Sequence, residues 1–320
     1  MTASNTTTAP LVAVVGATGA QGGSVVRNLL ESDKDYRIRA FTRDASKPAA
    51  KALEAKGVEV VQLSLVEDNK ESVFEAFAGV DYAFIVTNWA EHGDPPRETR
   101  EANLMIDAAK AGGARGIIWS GLPSIAALSG GKYTQVGHFE SKARASEYGR
   151  ASGVPFVDIQ AGGYMSNLVG MLRPQKISSS PDVWALNLPT PPGAVMPMVD
   201  AHADYGLWVR KAIESEAFPD GQTWATGGEN VTMAEQMRVI AEYTGKNVIF
   251  NQITPEVFGE GLKAAGIPPH MVPAIQEVFT AVGEFGYYAK DTIQTHEGLA
   301  RKPRTFKEFV EGTDWSTVLV

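Results

Sequence analysis

The 320-residue sequence contains no cysteine, which removes disulfides, thiolate metal centres and a cysteine nucleophile from consideration. Its five histidines are scattered, with no ligand-like spacing to one another or to carboxylates, so no metal site is expected. Eighteen apolar residues never run together, so no membrane-spanning helix is expected. Basic residues are in the minority, 29 Lys and Arg against 37 Asp and Glu, for a formal net charge of −8. That balance argues against a nonspecific grip on nucleic acid, which needs a concentrated positive field. Ser120 lacks the GxSxG surroundings of a hydrolase nucleophile. Beyond the Thr-rich start there is no repeat or low-complexity block. Residues 1–9, MTASNTTTA, have neither a basic n-region nor an apolar h-region; they read as a disordered lead-in to a soluble, cytoplasmic chain.

What is present is organised around Val12 to Leu30. Four apolar residues, Val12 to Val15, run into Gly16, Ala17, Thr18, Gly19, Ala20, Gln21 and Gly22, after which Val25, Val26, Leu29 and Leu30 set up a helical period. Strand, glycine turn and helix in that order point unpaired backbone N–H groups, and the positive end of a helix dipole, at whatever sits above the turn. A pyrophosphate fits there. Gly16 permits the tight turn, Gly19 removes a side chain that would hold phosphates off, and Gly22 lets the helix pack close to the sheet. About twenty residues on, Thr42-Arg43-Asp44 ends a second strand, where ribose specificity is usually set. Arg43 stands where an acidic residue would take the 2′-hydroxyl of NAD, so a guanidinium meeting a 2′-phosphate favours NADP(H). Lys47 offers a second positive charge.

After the glycine turn, short β-rich runs alternate with helical patterns, which predicts an α/β fold: a Rossmann-type parallel sheet with helices on both faces. Predicted strands cover Arg37 to Phe41, Val58 to Leu63, Tyr82 to Thr87, Gly116 to Ser120 and Phe156 to Gln160. Helices are expected over Pro48 to Ala55, Ser72 to Phe77, Glu98 to Ala111 and Phe139 to Ala151. A short helix is expected at Tyr164 to Leu172. Met196 to Asp200, with the helix Ala203 to Ile213, reads as a return to the main sheet. Helices at Met233 to Tyr243, behind the N-cap Thr232, at Pro255 to Ala265 and at Pro269 to Val282 complete the pattern. Residues 10–160 with 196–213 then form the NADP(H)-binding domain, and 161–195 with 214–320 a smaller mixed lobe for substrate or partner. Met165, Met171, Met196 and Met198 gather near the expected cleft, with core filling the default. Glu98, Arg100 and Glu101 read as a solvated helix start, and Phe279, Phe285, Tyr287 and Tyr288 as lobe packing.

By these residues the chain resembles the NmrA-like branch of the atypical short-chain dehydrogenase/reductase superfamily. The likeness is carried by VVGATGAQGGSVV at 14–26, FTRDASK at 41–47, FIVTNW at 84–89, IIWSGL at 117–122, HFESK at 138–142, GVPFVDIQAGGYMSNL at 153–168 and RTFKEFV at 304–310. The resemblance implies a Rossmann-type sheet binding NADP(H), in a group holding both redox-sensing regulators and NAD(P)H-dependent reductases. It implies that Gly16, Thr18, Gly19, Gln21 and Gly22 surround the pyrophosphate, with Arg43 and Lys47 near the 2′-phosphate. Thr87 and Asn88 would line the adenosine and ribose side, Ser120 and Gly121 would end a strand near the nicotinamide, and Lys142 would reach the nicotinamide ribose. Gly162, Gly163, Tyr164 and Asn167 would floor the substrate pocket. Ser64-Leu65 stands where the family often has an acidic residue for adenine.

Most dehydrogenases of that superfamily use a YxxxK pair; here His138-Phe139-Glu140-Ser141-Lys142 puts histidine in the tyrosine position. A spacing of four places His138 and Lys142 on one helical face. His138, near its ordinary pKa, suits a proton donor, and a neighbouring Lys142 lowers that pKa by like-charge repulsion. The alternative is a histidine that only hydrogen-bonds a loop or the cofactor. Tyr133 and Tyr164 are further candidate acids. The sequence therefore predicts an NADPH-dependent oxidoreductase reducing a small apolar or aromatic carbonyl, enone, quinone or imine compound in a cleft between the lobes. The alternatives are a non-catalytic NADP(H)-binding redox sensor acting through a protein partner, and a redox-neutral isomerase or lyase on the same fold.

Overall fold

Leu11–Val14 is buried at every position, as a strand covered on both faces requires, and forms β1 at the centre of the molecule. A computed structural model describes residues 2–4, 6–177, 180–288 and 293–320. From β1 the chain passes through the glycine turn into α1 (Ala20–Leu30), then β2 (Arg37–Thr42), α2 (Pro48–Glu54), β3 (Glu59–Gln62), α3 (Lys70–Ala76), β4 (Tyr82–Ile85) and α4 (Pro95–Ala111). It continues through β5 (Gly116–Trp119), the single turn α5 (Ile125–Leu128), α6 (Gly137–Arg150) and β6 (Phe156–Gln160). These strands are all parallel, and the order in space is β3-β2-β1-β4-β5-β6 with one further strand beyond β6. Strand order reverses on either side of β1, so the crevice above its carboxyl end is where an open sheet of this kind binds ligands.

The further strand is the first departure from expectation. β7 (Gly163–Tyr164), β8 (Gln175–Ile177), β9 (Ser180–Leu188) and β10 (Val195–Val199) precede α7 (Tyr205–Glu214), and β11 (Thr223–Ala225) takes the place beside β6. β10 does not return to the main sheet; it sits between β12 (Glu229–Thr232) and β7 in a sheet of its own. The open edge of the main sheet is filled instead by β11, which pairs in parallel with β6 and buries Trp224. Thr223–Ala225, within 214–320, thus lies in the main sheet. The helix after β10 does return: α7 lies on α1, so close at Gly206 that a Cβ there would stand 2.3 Å from the Ser24 carbonyl oxygen.

The Tyr164 to Leu172 helix is replaced by β7 and a 3-10 turn over Met165–Val169. α8 (Met233–Thr244) opens on Thr232 as expected, whose hydroxyl accepts from the Glu235 N–H at 3.1 Å. β13 (Asn247–Gln252) pairs with β9, and α9 (Pro255–Ala264), α10 (Val272–Phe285) and α11 (Phe306–Glu311) follow. Met165, Met196 and Met198 share one apolar core, whereas Met171 is exposed. Tyr287 and Tyr288 donate to the Ala161 and Gln160 carbonyls at the end of β6. Ala3 and Ser4 are not loose: their N–H groups bond the Lys56 and Tyr36 carbonyls, because the edge of the α2 and β2 connections leaves those acceptors free.

Candidate functional site

The glycine turn has the geometry that its sequence requires. Gly16 adopts φ +63°, a left-handed conformation that disfavours any side chain. A Cβ on Gly22 would lie 2.3 Å from the Gly16 carbonyl oxygen, so its absence lets α1 sit directly against the turn. Gly19 is the N-cap of α1, with no side-chain cap and no acidic residue in the first turn, so the first amides of the helix face outward with nothing of the chain's own to satisfy them. An anion is the natural partner for such a terminus.

Above the turn lies a groove of about 740 Å³. The structure brings Gly16, Thr18, Gly19, Gln21, Gly22, Arg43, Lys47, Thr87, Asn88 and Tyr164 together along it. Ser64 and Leu65 line it beyond β3. Ser120 stands just beneath, buried, its hydroxyl donating to Gln21 Oε1 at 2.8 Å and so tying the end of β5 to the start of α1. Gly121 abuts Asp158, and Gly162 approaches the Pro197 carbonyl too closely for any Cβ. Tyr133 is elsewhere: its hydroxyl donates to Glu284 at 2.6 Å on α10, and it does not border the groove. There a loop tyrosine is held by the nearest carboxylate.

Lys142 comes to the groove wall from behind. Its ammonium lies over the Trp119 ring, 5.1 Å from the centroid, and donates to Thr87 Oγ1 at 2.8 Å and the Thr87 carbonyl at 3.3 Å. The third partner is Glu98, at 3.3 Å. Thr87 thus takes two of the three ammonium donors, with Glu98 beside them as the counterion. Glu98 is the residue that sequence reasoning misplaced. Far from a solvated helix start, it is 1% exposed, accepts from Thr87 Oγ1 at 2.6 Å, and takes a hydrogen bond from Ser141. The signal was available: Glu98, Ala102, Met105 and Ala109 fall on one face at the helical period, and the last three are buried. Arg100 does follow the expectation, reaching out to Glu67.

His138 shares the helical face of Lys142 as its spacing predicts, and its ring lies 4.7 Å from that of Trp89. Its Nδ1 is buried with no hydrogen-bond partner. Desolvation first, with Lys142 adding to it against the opposing pull of Glu98, lowers its pKa from 6.5 to about 4. At neutral pH the ring is therefore uncharged and holds no imidazolium proton to give. Burial also raises the Tyr164 phenol well above its ordinary value. The depressed pKa of His138 has a stability consequence. Above about pH 6.5 both folded and unfolded chains carry a neutral ring; as pH falls from 6.5 towards 4 only the unfolded chain gains the proton, so stability falls by up to about 3 kcal/mol. Asp158, whose carboxyl burial raises to about 6, acts in the opposite sense over an overlapping range. Urea denaturation at pH 7 and pH 4.5 of wild type and His138→Phe separates them: the variant should lose less stability on acidification, and an equal loss would show that the ring is already solvated.

The comparisons with known proteins agree with this architecture. The NmrA-like family model matches residues 8–310. The chain belongs to the NmrA-like family. An NmrA-like oxidoreductase, cpsB of Aspergillus campestris, is 31% identical over 269 residues, covering 79% of this chain and 78% of its own. The NAD(P)H azoreductase of Xenophilus azovorans is 28% identical over 309 residues, 94% of this chain and 97% of that one. Among solved structures, the negative transcriptional regulator NmrA in complex with NADP superposes with a TM-score of 0.75 at 21% identity, over 95% of this chain and 94% of its own. Among the described residues no group of His, Asp or Glu could hold a metal ion, and no helix is long and apolar enough to cross a membrane.

Proposed function

We propose that this NmrA-like chain is an NADPH-dependent oxidoreductase. The observation that carries the reading is the uncapped, acid-free N-terminus of α1 opening onto a groove that has Arg43 and Lys47 on one side and Thr87 with Tyr164 on the other. Those residues suit a dinucleotide: outward amides and a close glycine turn for the pyrophosphate, two cations for a 2′-phosphate, and hydroxyls for the ribose. The oxidoreductase relatives and the NADP complex of NmrA support it.

Bound NADPH would supply a hydride to the acceptor. The chain's own part is to align the cofactor, and to hold the acceptor against Tyr164 where it lines the groove. A proton must follow the hydride; neutral His138 holds no imidazolium proton, and burial makes the Tyr164 phenol a weaker acid than a free tyrosine. This favours acceptors whose reduced anion spreads its charge over a conjugated system and takes its proton from water: quinones, enones and other flat conjugated compounds over simple aldehydes and ketones. NADPH absorbance followed with a panel of quinones, enones, cyclic imines, aldehydes and ketones tests it. Consumption with the conjugated members and little with simple aldehydes is expected.

A second reading, a redox sensor acting through a protein partner, draws support from the hold of Thr87 and Glu98 on the Lys142 ammonium. If no acceptor oxidises NADPH while the nucleotide still binds, that reading gains. It requires NADP⁺ and NADPH to bind with different affinities, because a ligand shifts a conformational state only through differential affinity. Equal dissociation constants by calorimetry would remove it.

A further inference from the structure

The loop after β4 carries a carboxylate that the dinucleotide reading does not use. Glu91 lies in a short 3-10 turn, Trp89–Glu91, and its carboxylate pairs with the Arg43 guanidinium. Arg43 follows β2 and Glu91 follows β4, yet these strands are not neighbours, because β1 lies between them. Two strand spacings amount to about 10 Å. The pair therefore joins the two banks of the groove that both residues line. Glu101, the other carboxylate on that wall, is already held by Arg97 at 2.7 Å, whereas Glu91 has no ion-pair partner but Arg43 among the described residues.

We infer that Glu91 is a specificity-determining residue for the nucleotide: it straps the groove through Arg43 and competes with a 2′-phosphate for the same guanidinium. The inference rests on the NADPH reading above. A nucleotide with a 2′-phosphate must displace Glu91 to gain Arg43; one with a 2′-hydroxyl gains nothing from Arg43 and does not meet this competition. Both side chains are substantially exposed, at 62% for Arg43 and 44% for Glu91, so the strap is of the modest strength of a surface ion pair.

Isothermal titration of NADPH and NADH into the wild type, Glu91→Gln, Arg43→Ala and the double variant tests this. Both side chains are at the surface, and their replacement leaves the core intact. Glu91→Gln should bind NADPH about two- to fivefold tighter, with NADH unchanged within error. Arg43→Ala should bind NADPH about ten- to a hundredfold more weakly. In the Arg43→Ala background the Glu91→Gln gain should vanish, since the two substitutions remove one interaction. Equal tightening in both backgrounds would overturn the strap and reduce Glu91 to a repulsive charge near the phosphate. No tightening beside a normal Arg43→Ala loss would overturn it while leaving the NADPH reading in place. Failure of the wild type to bind either nucleotide would overturn both.

Discussion

Glu98→Ala is expected to lower the free energy of unfolding by about 3–5 kcal/mol, the penalty for leaving a buried charge without its partner. Glu98 is 1% exposed, and the Lys142 side chain 11%. With the carboxylate gone, the ammonium keeps only the two Thr87 oxygens, and the Ser141 and Thr87 hydroxyls each lose an acceptor. Each orphaned group adds a desolvation cost, since water cannot reach it easily. Chemical denaturation of the purified variant measures the loss directly. A drop below about 1 kcal/mol would show that Lys142 finds solvent and that the network is not a buried one. Glu98→Leu combined with Lys142→Met should recover much of the loss, because replacing a buried pair by apolar groups of similar volume is often neutral or stabilising. The double variant also separates structure from function. If it folds like the wild type but no longer consumes NADPH, Lys142 acts on the cofactor side of the wall and not only as the counterion of Glu98.

Gly22→Ala should have the largest effect on nucleotide binding of any single methyl added to the chain. The new Cβ would stand 2.3 Å from the Gly16 carbonyl oxygen and 2.6 Å from that of Val15, and these are backbone atoms that no side-chain rotation can clear. α1 must lift away from β1, which costs about 1–3 kcal/mol of stability as overpacking. It also carries the open amides of the helix out of register with the turn. A displacement of about 1 Å in a site that works by alignment can cost on the order of 100-fold, and a loss of that size in NADPH affinity is expected. Gly23→Ala is the matched control. Its Cβ would lie 3.4 Å from the Ala17 carbonyl, an ordinary contact, and alanine is the better helix former. If both variants bound NADPH like the wild type, the turn would not be the phosphate site.

The opposite strengths of these two predictions reflect where each piece of information resides in the chain. The glycine turn is legible from residue order alone. Apolar run, Gly16, Gly19, Gly22 and helical period are contiguous, and the backbone conformation they impose is local: a left-handed φ at Gly16 and a helix start at Gly19 need no distant contact to specify them. The same holds for the five predicted strands after the turn and for the Thr232 cap, all of which the structure contains within a few residues. Parallel order followed from alternation, because a strand buried on both faces must be reached through a covering helix.

What the residue order left open was every relation between segments far apart in the chain whose pairing depends on geometry. β10 looked like a strand of the main sheet and is one of another sheet, since the edge it would have joined was claimed by the three-residue β11, too short to stand out by pattern. Glu98 looked like a solvated charge because its counterion, Lys142, comes from another helix. The Arg43–Glu91 bridge exists only because β1 lies between β2 and β4, an adjacency in space that no spacing in the sequence encodes. Local backbone preferences and hydrophobic period were set by the sequence itself, through interactions between residues a turn or less apart. The partners of buried charges, the edge of the sheet and the bridge over the groove were decided by tertiary structure, because their energies arise from desolvation and pairing between side chains that meet only once the sheet has assembled.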